Sequence, residues 1–219
     1  VAHSNDQRVV LRPQISYANK FGKHDVGALF LYEQTTYTSE SMNAGRRDFP
    51  VFDLPELNFG DPTTATNASS SGKSAFAGFV GRLNYAYDDK YLIEASFRYD
   101  GSYLFHKDHR WGFFPSVSVG WVMSQEDFFQ SALPKIEYFK LRGSIGTLGN
   151  DNVTAFLYRK QFAYNASSVA FGSTPASQGT LSNSVAFPFE DLTWERTRTY
   201  DIGFEMSAWN GLLGVEFDY

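Results

Sequence analysis

Residues 78–123 read GFVGRLNYAYDDKYLIEASFRYDGSYLFHKDHRWGFFPSVSVGWVM, and their alternation decides the fold. From residue 91 onward, Tyr91, Ile93, Ala95, Phe97, Tyr99 and Tyr103 share one parity; Glu94, Ser96, Arg98, Asp100 and Ser102 share the other. Successive side chains of a strand point to opposite faces, so the segment carries one apolar and one charged face. The next segment repeats this, with Trp111, Phe113, Val117, Val119 and Trp121 on one face and Gly112, Ser116, Ser118 and Gly120 on the other. Strands of globular domains run to about 5–6 residues, whereas these run to roughly 13–15. Trp111 and Trp121 stand ten positions apart. At about 3.3 Å per residue that is roughly 33 Å, and a tilt of about 40° projects it to roughly 25 Å. That is the height of the apolar band between the aromatic girdles of a transmembrane barrel. The spacing therefore predicts an all-β fold, part of a large antiparallel transmembrane β-barrel. Tyr91 and Trp121 mark one girdle; Trp111, with Tyr99 or Tyr103, marks the other. Arg82, Asn84, Glu94, Arg98, Asp100, Arg142, Asp201 and Glu205 fall by alternation on the opposite face, towards a wet lumen.

Composition agrees once the geometry is taken into account. Aromatics make up 17% of the chain and charged residues 20%, and the mean hydropathy is −0.33. A soluble average is what a barrel gives, because only alternate residues meet lipid. The longest apolar runs fall far short of the ~18 residues of a transmembrane helix. The absence of cysteine excludes a disulfide framework and a thiolate metal site. A net charge of −5 with no basic run argues against nucleic acid as a partner. The opening Val1-Ala2-His3-Ser4 is not a signal peptide, and the last residues lie within a strand pattern, so we expect a piece of a longer chain.

Taken in order, Arg8 to Ala18 and Asp25 to Thr38 alternate as strands, with Pro13 weakening the first. Residues 39–74, rich in Ser, Thr, Asn, Gly and Pro, read as a long outer loop; loops of this length are common on one side of a barrel and rare in compact domains. Strands follow at Ala75–Asp88, from Tyr91, from Trp111, at Ile136–Leu148 and at Thr193–Ala208. Asp88-Asp89-Lys90 and Asn210-Gly211 read as tight turns on the other side. Ser124 to Asp127 has the form of a capping box and predicts one helical turn. Between Ile136–Leu148 and Thr193–Ala208 parity requires zero or two crossings. The weak patterns Ala155–Tyr164 and Val169–Phe171 favour zero, with residues 149–191 as an outer insertion carrying a small hairpin. This gives about eight spanning strands.

Few residues point to chemistry. His106 and His109 flank Asp108, but two nitrogens on a loop make a poor metal site. Asp151 between Asn150 and Asn152 lacks the calcium-loop pattern and reads as a turn. Glu94 and Asp100 lie about 20 Å apart along a strand, beyond the roughly 5–10 Å of a glycosidase pair. No cofactor and no enzymatic activity are expected. The charged lumen residues read either as an ion-pair lattice that hydrates the wall or as substrate contacts. The loop aromatics Tyr37, Phe49, Phe52, Phe59 and Phe105 could stack on sugar rings or cover a partner.

The runs Gly81-Arg82-Leu83-Asn84-Tyr85, Lys90 to Ser102, Arg110 to Trp121, Phe139 to Gly146 with Gly149-Asn150-Asp151, and Leu192 to Thr197 with Tyr200 to Gly203 resemble, in order and spacing, the barrel of SusC/RagA-type TonB-linked outer-membrane transporters. The resemblance covers roughly residues 78–219. It implies a 22-stranded barrel, of which about a third is here, sited in the cell outer membrane and bounded by its lipid. It also implies uptake of oligosaccharides or peptides, a plug domain, a SusD-like surface lipoprotein and energy from the TonB–ExbB–ExbD complex; neither plug nor TonB box lies in these residues. Two other readings stay open on the residues alone. One is a soluble aromatic-rich β-sandwich or propeller that binds carbohydrate, with its apolar faces packed on each other; the other is a passive porin.

Overall fold

A computed structural model describes the chain except residues 51, 52, 54, 55, 161, 172–175 and 184–187, and of 162–171 and 176–183 it describes the backbone alone. The strands are β1 (Ala2–Leu11), β2 (Gln14–Phe21), β3 (His24–Gly45), β4 (Thr66–Tyr87), β5 (Tyr91–Ser102), β6 (Trp111–Val122), β7 (Ile136–Asn150), β8 (Phe162–Phe171), β9 (Ala176–Asn183), β10 (Glu195–Ala208) and β11 (Leu213–Asp218). A short helix, α1 (Asp127–Ala132), links β6 to β7. The main sheet runs β1-β3-β4-β5-β6-β7-β10-β11 with every pair antiparallel, and β2 also pairs with β3.

β1 and β2 are one line across the sheet. Leu11 lies opposite Gln34 and Gln14 opposite Leu31, so the register on β3 continues past Arg12-Pro13. Pro13 has no N–H to give, yet its carbonyl still accepts from Tyr32 N at 3.1 Å. Counted this way, the sheet has the eight lines expected from alternation.

The sheet is a single layer. Ile15, Phe30, Leu83, Ile93, Val117, Val119, Ile145 and Ile202 are exposed on the face that alternation marks as apolar, Ile202 to 66%. No second sheet covers that face among the described residues, which removes the sandwich reading. An apolar surface of this extent is far larger than a soluble monomer carries.

Connections sort by length onto the two edges. The short ones join β2–β3, β4–β5 and β10–β11, with α1 between β6 and β7. Gly22 opens the first turn with φ +60°, the positive value needed at the first position of a II′ hairpin turn. Asn210 (φ 57°) and Gly211 (φ 79°) centre the last one, closed by Leu212 N donating to Trp209 O at 3.2 Å. The long connections, β3–β4, β5–β6 and β7–β10, stand on the opposite edge.

Three expectations need correction. β3 and β4 pair as far as Gly45 and Thr66, so residues 39–45 and 66–74 are strand, not loop. The extension carries Ser, Thr and Asn on both faces and is held by its backbone ladder, so it shows no hydrophobic period. The insertion carries its hairpin further along than predicted: β8 runs through Asn165–Ser168, with a shift of register there, and pairs with β9, while Ala155–Leu157 is turn. β7 pairs directly with β10, and β8–β9 is a separate sheet. Finally, there is no capping box. Glu126 is the N-cap residue of α1 and makes no side-chain cap bond, because its carboxylate is engaged elsewhere.

That carboxylate accepts from Tyr91 Oη at 2.7 Å, from Trp121 Nε1 at 3.3 Å and from Lys90 Nζ at 3.3 Å. The Tyr91 hydroxyl, then the indole N–H and Lys90, hold the Glu126 carboxyl below the usual range. A lowered carboxylate pKa stabilises the fold above the unfolded-state value, and the stabilisation is lost as pH falls through the folded-state value. Glu126→Gln is therefore expected to lower the thermal midpoint at neutral pH. The gap to the parent should close below the ordinary glutamate range, as measured by thermal denaturation from pH 7 to pH 3.

Candidate functional site: the polar face and its rim

The strand period places every predicted lumen residue on one face. Gly27, Asn84, Glu94, Ser118, Ser144 and Asp201 lie opposite one another in register across six strands. They floor an open trough of about 690 Å³, with Arg142 in its lining. Three of the six are Gly or Ser and the other three are Asn84, Glu94 and Asp201, so the floor is polar and the trough wet.

Around it the charges pair. Arg82 Nε stands 3.7 Å from Glu94. Arg98 holds Asp100 with two bonds of 2.9 and 3.1 Å, and Asp100 is 6% exposed. A Cβ at residue 78 would stand 2.2 Å from Asp100 Oδ1, so glycine there leaves room for the carboxylate. Arg12 pairs with Glu33 beside this group. Arg142 reaches Glu205 at 3.1 Å, Glu216 at 2.8 Å and Asp218 at 2.6 Å, and Lys140 shares Glu205 at 3.3 Å. Asp201 has no ion-pair partner among the described residues. Of the eight predicted residues, six are thus tied into ion pairs, while Asn84 and Asp201 face the trough without one. Glu33, Glu216 and Asp218 were missed, although alternation with Val215 and Phe217 would have found the last two.

On the apolar face aromatic rings form two ladders across neighbouring strands. At the short-turn end Tyr87, Tyr91 and Trp121 stack in sequence, each 6.4 Å from the next, and Phe128 of α1 joins Trp121. At the other end Tyr99 stacks on Trp111 at 4.9 Å, and Phe79 joins Trp111 and Tyr32. Tyr103 lies past the end of β5 and meets Phe156 edge-on at 5.9 Å, so Tyr99 is the ring that belongs to the ladder.

The loop aromatics separate. Phe59 is exposed and Phe49 is partly covered. Phe52 lies outside the described residues. Tyr37 is on β3, not in a loop, and its hydroxyl donates to Asp6 at 2.8 Å. Phe105 is 0% exposed, packed with Phe114 and Trp194. A ring with no free surface cannot stack on a sugar, so its role is to brace the rim. Trp194 Nε1 donates to Arg110 O at 2.8 Å and Thr193 Oγ1 to His109 O at 2.8 Å, which ties the β5–β6 loop to the start of β10. His106 and His109 turn to different carboxylates, Asp108 at 3.2 Å and Asp191 at 3.7 Å. Among the described residues no group of three or more histidines and carboxylates is placed to hold a metal.

Residues 3–219 match the family model described as TonB dependent receptor-like, beta-barrel. The chain belongs to the TonB-dependent receptor barrel family. Among relatives, TonB-dependent receptor P26 of Formosa agariphila is 36% identical over 165 residues, 74% of this chain and 16% of its own length. TonB-dependent receptor P3 of the same organism is 26% identical over 99% of this chain and 21% of its own. TonB-dependent receptor SusC of Bacteroides thetaiotaomicron is 34% identical over 64% of this chain and 14% of its own. The chain thus spans about a fifth or less of these receptors. The solved RagAB peptide importer in its closed-closed state superposes with a TM-score of 0.85 at 24% identity, over 99% of this chain and 23% of the other, a likeness of fold. TonB-dependent receptors are outer-membrane proteins, and they are receptors rather than enzymes. The membership read from the motifs is thereby shown for the TonB-dependent receptor barrel family.

Proposed function

We propose that these residues form wall and outer rim of a SusC/RagA-like transporter that imports oligosaccharides or peptides across the outer membrane. The observation that carries the proposal is the single-layer sheet, with one uncovered apolar face bounded by two aromatic ladders and one ion-paired polar face. A sheet of this kind needs lipid on one side and water on the other. The ladders of Tyr87, Tyr91 and Trp121 and of Tyr99, Trp111 and Phe79 sit at the two interfaces. The short turns face the periplasm, and the connections β3–β4, β5–β6 and β7–β10 leave the sheet towards the medium. The paired residues of the polar face keep the wall hydrated and offer a seat to a plug, while Asn84 and Asp201 remain free to meet solute. A SusD-like lipoprotein covers the outer loops, where Phe59 offers an exposed ring, and TonB–ExbB–ExbD supplies the energy through parts of the protein beyond these residues.

The test uses the complete gene in its host. Uptake of radiolabelled oligosaccharides and peptides is measured in wild type, in a deletion strain and after collapse of the proton gradient. The expected outcome is loss of uptake of one substrate class in both of the latter. Uptake that survives gradient collapse would replace this reading with a passive pore.

A further inference from the structure

A second cavity, of about 430 Å³, opens at the long-loop edge, where the β5–β6 loop meets the segment that follows β7. His106, Lys107, Arg110, Tyr158, Arg159 and Glu190 line it. Three cations against one carboxylate leave the lining at +2 with neutral histidine, in a chain whose net charge is −5. Local charge therefore runs against the charge of the whole.

Two features make this more than a solvated basic loop. Arg110 Nε is buried and, among the described residues, has no hydrogen-bond partner. A buried guanidinium nitrogen without an acceptor is costly, and among the described residues no acceptor offsets this fork; an oxyanion in the cavity that the partly exposed Arg110 lines would offset its charge. Arg110 is also fixed in place, because its carbonyl accepts from Trp194 Nε1 at 2.8 Å and from Ser102 N at 3.1 Å. The second feature is preorganisation of Arg159. Its guanidinium lies over the rings of Phe156 and Tyr158, 5.2 and 5.3 Å from their centroids, and His106 meets Tyr158 edge-on at 5.7 Å. Stacking holds the planar fork and leaves its N–H edge available to a partner.

We infer that this rim pocket binds an oxyanion carried by the transported substrate, a carboxylate or a sulfate, with Arg110 and Arg159 as bidentate donors and Lys107 as a further charge. The inference deepens the transport reading and rests on it for the word substrate. Anion binding itself is read on purified protein, without transport.

The probe is selenate, a tetrahedral dianion with an anomalous X-ray signal, soaked into crystals of the full-length transporter and titrated calorimetrically in detergent. An anomalous peak within hydrogen-bond reach of Arg110 and Arg159 is expected, with affinity falling at least about tenfold in Arg159→Met and in Arg110→Met. Lys107→Gln, on an exposed side chain, gives a smaller loss and guards against misfolding of the arginine variants. Lys135→Gln, at the opposite edge, leaves binding unchanged. Trigalacturonate and a sulfated tetrasaccharide are then used as competitors, beside neutral oligosaccharides of equal length. Displacement by the charged sugars alone supports the inference and names the oxyanion. An empty pocket, unchanged affinity in the arginine variants, or displacement by no charged competitor would overturn it. None of these outcomes touches gradient-dependent uptake, so the two readings fail separately.

Discussion

Val117→Arg is expected to destabilise the folded barrel by about 2–4 kcal/mol, the cost of a cation at the bilayer midplane of a barrel. Val117 lies midway along β6 between Trp111 and Trp121, is 43% exposed, and stands opposite Ala95 on β5 and Ile145 on β7. Its neighbours on this face are therefore apolar across three strands. Ser118 is one residue further along but on the polar face, opposite Glu94 and Ser144 and lining the trough. Ser118→Arg should cost less than about 1 kcal/mol, since its side chain enters water beside two carboxylates, Glu94 and Asp201. Unfolding of the full-length receptor from lipid vesicles, followed by urea titration and by heat-modifiable migration in gels, measures both. Equal loss in the two variants would mean that the apolar face is covered by protein, and the assignment of faces to lipid and lumen would fall.

The contrast between these neighbouring positions shows what could be read from sequence. The period of two fixes which side chains share a face, and Ile93, Val119 and Tyr200 stand where it puts them. The turn signals Asp88-Asp89-Lys90 and Asn210-Gly211 mark where strands reverse; parity then leaves zero or two crossings between β7 and β10, and the weak patterns between them favour the zero that the pairing of β7 with β10 bears out. All of this is local information. The outer ends of β3 and β4 were not legible because Ser39–Gly45 and Thr66–Ser74 have no apolar face to generate a period; their pairing rests on the backbone ladder. The pairing of Arg142 was half legible: alternation gives the face, but which carboxylates it meets depends on register across β10 and β11. The capping box read at Ser124 to Asp127 failed for the same reason. The residue that precedes α1 is Glu126, and Tyr91, thirty-five positions away, takes its carboxylate. Phe105 was misread because a loop position says nothing about what folds over it, and here the partner is Trp194, which arrives from the far end of the insertion.

Phe105→Ala is expected to open the rim while leaving the barrel folded. Truncating a fully buried phenylalanine costs about 3–5 kcal/mol, including the cavity left behind. Phe105 packs at 5.6 Å on Trp194, which packs at 5.2 Å on Phe114. Phe114 in turn lies over two glycines: a Cβ would come within 2.3 Å of its ring at residue 112 and within 2.1 Å at residue 149. The three rings thus join β6, β7, the β5–β6 loop and the approach to β10 at one point. The eight-line ladder does not pass through that point, so the loss should be confined to local opening. Hydrogen exchange at residues 103–110 and 190–194 is expected to rise steeply, and a protease should cut the β5–β6 loop, while the urea midpoint of the whole barrel shifts little. Trp194→Phe is the graded companion, keeping a ring but losing the bond to Arg110 O, for a cost of about 0.5–1.5 kcal/mol. Because Arg110 is held by that bond, Trp194→Phe should also weaken selenate binding at the rim, and Phe105→Ala, which removes the ring that positions Trp194, should weaken it as well. A global loss of stability in Phe105→Ala would show instead that the ring cluster is needed to close the barrel wall, and that β6 and β7 do not hold their register without it.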